Sequence, residues 1–186
     1  SDSANLCLGG TLFGHSAINT AIAASGFFTD VHLPVDTGNA GLAVGTARYA
    51  DRCKPARVSP FLGPSYGRDE IKSTLDNCKL SYAWESEEDS IGAVVQALRD
   101  GLMVGWYEGA MEWGPRALGA RCILANPLAP YALENLNRFL KHRESWRGYA
   151  LCGLETHVET YFDGPARAPF MEYDYRPKDP ARLAPI

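Results

Sequence analysis

Residues 108–121 constrain this chain more than any other stretch. An apolar run, residues 102–107, leads into it and reads as a buried strand. The next fourteen residues hold two acids, Glu108 and Glu112, and two arginines, Arg116 and Arg121, among three glycines and a proline. Gly and Pro hold the backbone to a tight course, and a guanidinium offers a planar fork suited to phosphate or carboxylate. Pro115 favours the first turn of a helix. Arg116 is therefore expected at a helix start beyond a strand end, where outward N–H groups accept anions. The plainer alternative is a structural turn whose arginines pair with Glu108 and Glu112. A short motif alone does not decide between them.

Composition narrows the class. The chain has 186 residues, enough for one large domain or two small ones, with ordinary globular shares of 46% apolar and 22% charged residues. A net charge of −4 argues against a general grip on nucleic acid, which needs a surplus of Lys and Arg. No apolar run is long enough to span a bilayer, so no membrane role is expected. The five cysteines are scattered, with no C-x-x-C pair. They fit a reducing cytoplasm better than a disulfide framework and form no zinc motif. The four histidines show no metal-ligand spacing. The expectation is a cytoplasmic protein that handles small molecules.

In chain order, residues 6–12 read as a buried strand running into the Gly9-Gly10 turn, and residues 13–25 as an alanine-rich helix stopped by Gly26. Strand, Gly-Gly, helix is the local shape of a phosphate-accepting loop, and equally of a plain turn. Residues 31–34 are a second short strand. They lead to the turn at 36–41 and a small-residue helix, where Asp36 and Asn39 either touch a ligand or metal or cap that helix. The Pro/Gly-rich connector at 51–67 marks a domain boundary. A polar helix follows over 67–78. Ser86 then opens another, in the manner of a capping box, which ends at Gly101. Beyond the central motif, residues 122–125 read as a strand, 130–140 as a helix and 149–154 as a strand. The cations of 141–147 either answer the helix dipole or line a polyanion pocket.

Residues 105–127 resemble the signature G-x-x-E-x-G-P-R-A-L-G-x-R-S-I-L-A-x-P of the O-carbamoyltransferases of antibiotic and nodulation-factor biosynthesis. Residues 136–147 resemble that family's N-x-x-x-K-x-R-E-x-[FW]-R, residues 61–64 its F-L-G-P, and residues 168–171 its S-P-[FY]-M. The resemblance implies an α/β chain in two parts. Residues 1–55 would be the end of an actin-like (ASKHA) domain, and residues 56–186 an incomplete YrdC-like α/β domain. It further implies that ATP, with Mg²⁺, and carbamoyl phosphate form carbamoyl-adenylate in the second part. The carbamoyl group then passes to a hydroxyl of a small-molecule acceptor in the first, beside a bound iron. By motif, Arg116, Glu112, Lys141 and Arg143 would be catalytic. Gly114, Arg121, Glu144, Arg147, Gly9 and Gly10 would bind substrate or nucleotide. The two glutamates would orient guanidiniums or reach Mg²⁺, or be structural ion pairs. Asp36 and Asn39 are the candidate metal ligands.

Several positions depart from the pattern. The family's H-x-x-x-H metal motif lies in a region this chain does not contain. Its D-x-G aspartate is matched here by Asn39, a poorer ligand for a hard cation than carboxylate. The asparagine that usually follows the Gly-Gly turn closely comes later, as Asn19, and the H-x-D-G-[ST]-x-R segment is not reached. The chain is thus expected to be the middle of a longer enzyme, a natural subunit or a fragment, with partner chains completing its sheets. A second reading is a non-catalytic nucleotide-binding subunit or remnant.

Overall fold

The computed structural model describes residues 3–54, 58–165 and 167–181. In chain order the elements are β1 (Asn5–Cys7), a 3₁₀ turn (Thr11–Gly14), α1 (Ser16–Ala24), β2 (Asp30–His32), α2 (Asn39–Ala50), α3 (Arg68–Asn77) and α4 (Glu87–Arg99). Then come β3 (Val104–Tyr107), β4 (Arg121–Leu124), α5 (Ala132–Glu134), a π-helical turn (Asn135–Leu140), a second 3₁₀ turn (Glu155–His157), α6 (Val158–Tyr161), β5 (Phe162–Asp163) and β6 (Arg176–Pro177). The α/β class follows from this mixture. The expected boundary between 55 and 56 lies outside the described residues.

The contacts divide into two compact units. The first comprises Ser1–Leu62, Glu112–Leu118 and Gly153–Lys178. Its β1 and β2 pair in parallel, with Leu6 opposite Val31, and parallel strands require a crossover, supplied here by α1. Leu8 and Leu33, just beyond the two strands, are its buried aliphatic residues. The start of α2 depends on Gly41, because a Cβ there would lie 1.8 Å from the carbonyl oxygen of Asp36. β5 and β6 pair antiparallel, and Phe162 meets Tyr175 edge-on with ring centroids 6.4 Å apart.

The second unit comprises Gly63–Met111, Gly119–Cys152 and Asp179–Ile186. β3 and β4 form an antiparallel pair, Val104 opposite Leu124 and Tyr107 opposite Arg121. α4 starts where the sequence places it: Ser86 Oγ accepts the Asp89 N–H at 3.1 Å. Gly63 and Pro64 brace the end of β3 through Gly63 N–H to Met111 O (2.9 Å) and Met111 N–H to Pro64 O (3.0 Å). A Cβ on Gly63 would approach that Met111 oxygen to 2.8 Å, which accounts for glycine in this motif.

Three local expectations change. No helix starts at Pro115: residues 112–118 are an irregular loop, closed when Glu112 Oε1 accepts the Leu118 N–H at 2.8 Å, and Gly114 at φ +89° breaks any helical course. Arg116 is accordingly not at a helix N-terminus. Residues 149–154 form no strand, since no described strand lies beside them to complete a ladder. The helix expected over 130–140 does form over 132–140, but its second half is π-helical, with Lys141 N–H reaching back to Leu136 O at 2.8 Å.

Candidate functional site

The sequence-predicted residues divide between the two units. In the first, Arg116 is held by main chain alone. Its Nη1 donates to Phe170 O at 2.9 Å and to Met171 O, and its Nη2 donates to Gly14 O. Asn19 works beside it. Fully buried, it donates through Nδ2 to Phe13 O (2.9 Å) and Glu172 O (3.0 Å). Glu172 Oε2 accepts the Phe170 N–H at 2.8 Å, and Thr20 Oγ1 accepts the Asp174 N–H at 2.8 Å. Residues 170–174 are thereby pinned to the 3₁₀ turn and the first turns of α1. Three carbonyls satisfy three of the five guanidinium donors and neutralise none of its charge. Among the described residues no carboxylate forms an ion pair with Arg116.

Glu112 is 3% exposed and closes its own loop through Leu118. Gly114 stands against Asp36: a Cβ placed on it would lie 3.5 Å from the Asp36 Cβ. Gly10 N–H donates to Thr37 O at 2.7 Å, which puts the Gly9-Gly10 turn next to the same segment and occupies that amide. Asp36 itself accepts Gly38 N–H (3.0 Å) on Oδ1 and Gly41 N–H (3.1 Å) on Oδ2, the capping arrangement of the two possibilities. Asn39 is exposed on α2. Among the described residues no group of three His, Cys, Asp or Glu side chains is placed to hold a metal ion. With both Asp36 oxygens engaged by main-chain amides and Asn39 a neutral amide, the two make a poor iron centre.

The second unit carries the cationic turn. Lys141 follows the π-helical turn directly, and Arg143, Glu144 and Arg147 come after a reversal at His142 (φ +48°). Lys141 is exposed, and its ammonium forms no ion pair among the described residues. Arg147 Nε pairs with Glu144 at 3.3 Å, both about half-exposed. Arg143 lies over the Tyr149 ring, 4.4 Å from its centroid, and donates through Nε to Asn137 Oδ1 at 2.7 Å and through Nη2 to Gly148 O at 3.3 Å. An open cleft of about 480 Å³ is lined by Arg143, Arg138, Tyr131, Glu134, Leu133 and Ser145. Arg121 opens β4 opposite Tyr107.

Sequence reasoning passed over Asn19, Asn137, Tyr149 and Arg138 as site residues. The signal for Asn137 is its place at the head of the second motif. For Tyr149 and Arg138 no one-dimensional signal exists, because their roles arise from contact. Of the phenols, Tyr173 is raised above its ordinary value chiefly by burial and then by Glu172 and Asp30, and its O–H donates to Val31 O at 3.3 Å.

Residues 95–183 match the family described as Carbamoyltransferase C-terminus. Among full sequences, the chain is 33% identical over 179 residues to an uncharacterized protein of Synechocystis sp., covering 90% of this chain and 29% of that protein. It is 30% identical over 184 residues to nodulation protein NolO of Bradyrhizobium diazoefficiens (94% and 34% covered). To nodulation protein U of the same organism it is 31% identical over 176 residues (92% and 29% covered). The chain therefore spans about a third of the length of the curated relatives it matches. Among the described residues no helix is long and apolar enough to cross a membrane.

Proposed function

We propose that this chain is part of an ATP-dependent O-carbamoyltransferase acting on a hydroxyl of a small natural product. Residues 1–55 would close an actin-like acceptor domain, and residues 56–186 would form an incomplete YrdC-like domain. The observation that carries the reading is the turn at 141–147. Three cations stand there against one carboxylate, inside the segment that matches the carbamoyltransferase family. Transfer between carbamoyl phosphate and ATP brings two polyanions together, so catalysis is mainly charge neutralisation and alignment. Lys141 and Arg143 would hold the phosphate oxygens, and Arg147, steadied by Glu144, would widen the positive field. Mg²⁺ would arrive with the ATP phosphates as a hard cation taking oxygen ligands, with Glu144 the exposed carboxylate at hand. Water attacks the carbamoyl carbon of carbamoyl phosphate and phosphate leaves, giving carbamate. A carbamate oxygen then bonds to the α-phosphorus of ATP as pyrophosphate departs, and attack by the acceptor hydroxyl on the carbamoyl carbon of the adenylate releases AMP.

Arg116 fits the same scheme as a cation whose main-chain partners leave its charge uncompensated. The exposed apolar side chains on and near α1 and α2, among them Phe27, Leu42 and Tyr49, support completion by further polypeptide, covalently joined or as partner chains. The test is carbamoyl-phosphate-dependent release of pyrophosphate from ATP by the completed enzyme. Arg143→Ala and Lys141→Ala are expected to bring it to background. Release that persists in both variants, or none from the wild type, overturns the proposal.

A further inference from the structure

We infer that Asn137 is a positioning residue that presents Arg143 to the phosphate of the substrate; the inference rests on the carbamoyl-transfer reading and deepens it. Asn137 has no exposed surface, yet all its side-chain polar capacity is directed at the cationic turn. Its Oδ1 accepts from Arg143 Nε at 2.7 Å and from Tyr149 Oη at 2.9 Å. Its Nδ2 donates to Arg147 O at 2.8 Å and Ser145 O at 3.3 Å, and its own carbonyl accepts the Arg143 N–H at 3.0 Å. Both ends of the turn are thus tied to one buried amide. The π-helical turn rotates Asn137 inward beneath the segment it holds, and π turns recur at functional sites.

The geometry separates the donors of Arg143. Nε faces Asn137 and one Nη2 hydrogen faces Gly148 O, while the ring of Tyr149 supports the plane from below. Three of five donors remain directed away from these partners, one more than the two a guanidinium fork needs to hold a phosphate in bidentate fashion. An amide is the suitable anchor. A carboxylate in its place would accept the same Nε–H but cancel the charge the substrate must meet, and would face the carbonyls of Ser145 and Arg147 with no donor. Arg138, which also lines the cleft, is paired with Glu134 at 3.2 Å, which leaves Arg143 the better cation for an incoming dianion.

The test is a double-mutant cycle on carbamoyl phosphate binding to the full chain, read by calorimetric titration, with circular dichroism to check folding. Asn137→Ala is expected to weaken binding by about tenfold in the wild-type background and by less than about twofold when Arg143 is already Ala. A merely structural role would leave the two effects multiplicative. Should Asn137→Ala not fold, Tyr149→Phe decides: it keeps the ring and removes one bond to Oδ1, with about threefold weakening expected that vanishes beside Arg143→Ala. Independent, multiplicative effects overturn the inference and leave the transfer reading standing. Failure of the wild-type chain to bind carbamoyl phosphate overturns both.

Discussion

Replacing Arg116 with methionine keeps the aliphatic stem and removes the donors that hold three carbonyls, those of Gly14, Phe170 and Met171. A hydrogen bond from a charged donor contributes about 1.5–3 kcal/mol when buried. The guanidinium is only partly buried, so a discounted value near 1 kcal/mol for each of three bonds gives about 2–4 kcal/mol for the set. For a chain of this size that corresponds to a fall in melting temperature of about 4–16 °C. Arg116→Lys should recover less than half of it, because one ammonium lacks the fork that spans carbonyls from two separate segments. The assay is thermal unfolding followed by tryptophan emission, with Trp113 reporting on the first unit. Wild-type stability in Arg116→Met, within about 0.5 kcal/mol, would refute the clamp and leave Arg116 a residue of the ligand alone.

Two further predictions rest on packing and burial. Gly41→Ala should destabilise by about 1–3 kcal/mol, because its Cβ would lie 1.8 Å from Asp36 O, whereas Gly45→Ala on the same helix meets nothing within 4 Å and should gain about 0.5–1 kcal/mol from helix propensity. Melting temperatures that rise in both variants would sink the steric account. The Tyr173 and Tyr175 phenols are raised above their ordinary 10.0, chiefly by burial, with Glu172 contributing to both. A raised acid pKa means that their contribution to stability is fully present below pH 10 and is lost as pH rises through the folded-state values. Absorbance at alkaline pH should therefore show late-titrating tyrosines that disappear in Tyr173→Phe and Tyr175→Phe, and a uniform titration would contradict the burial.

Much of the secondary structure was legible because it depends on neighbours in the chain. Ser86 three residues before Asp89 suits a cap, and the apolar runs at 102–107 and 122–125 need only a partner strand to become β3 and β4. The family resemblance was legible for the same reason: Gly114, Pro115, Arg116 and the 137–147 block are residue types at fixed spacing, and residues 95–183 match the Carbamoyltransferase C-terminus family model. Residues 149–154 show the limit. Their composition suits a strand, but a ladder needs a neighbour, and composition carries no record of one.

What only tertiary structure decided is which partner each polar group takes. Pro115 argues locally for a helix start, yet Glu112 takes the Leu118 amide and closes a loop instead. Arg116 is 54 residues from Phe170 and 102 from Gly14 in sequence, so no pattern could announce that its guanidinium grips their carbonyls. Asn137 is a single letter at the head of a motif, and burial turns it into the hub of Arg143, Tyr149 and the 145–147 carbonyls. Charge and spacing along the chain thus determined which charged groups are available and in what order. The direction in which each charge points was decided by the fold, since a hydrogen bond is short and directional and its partner is chosen in space.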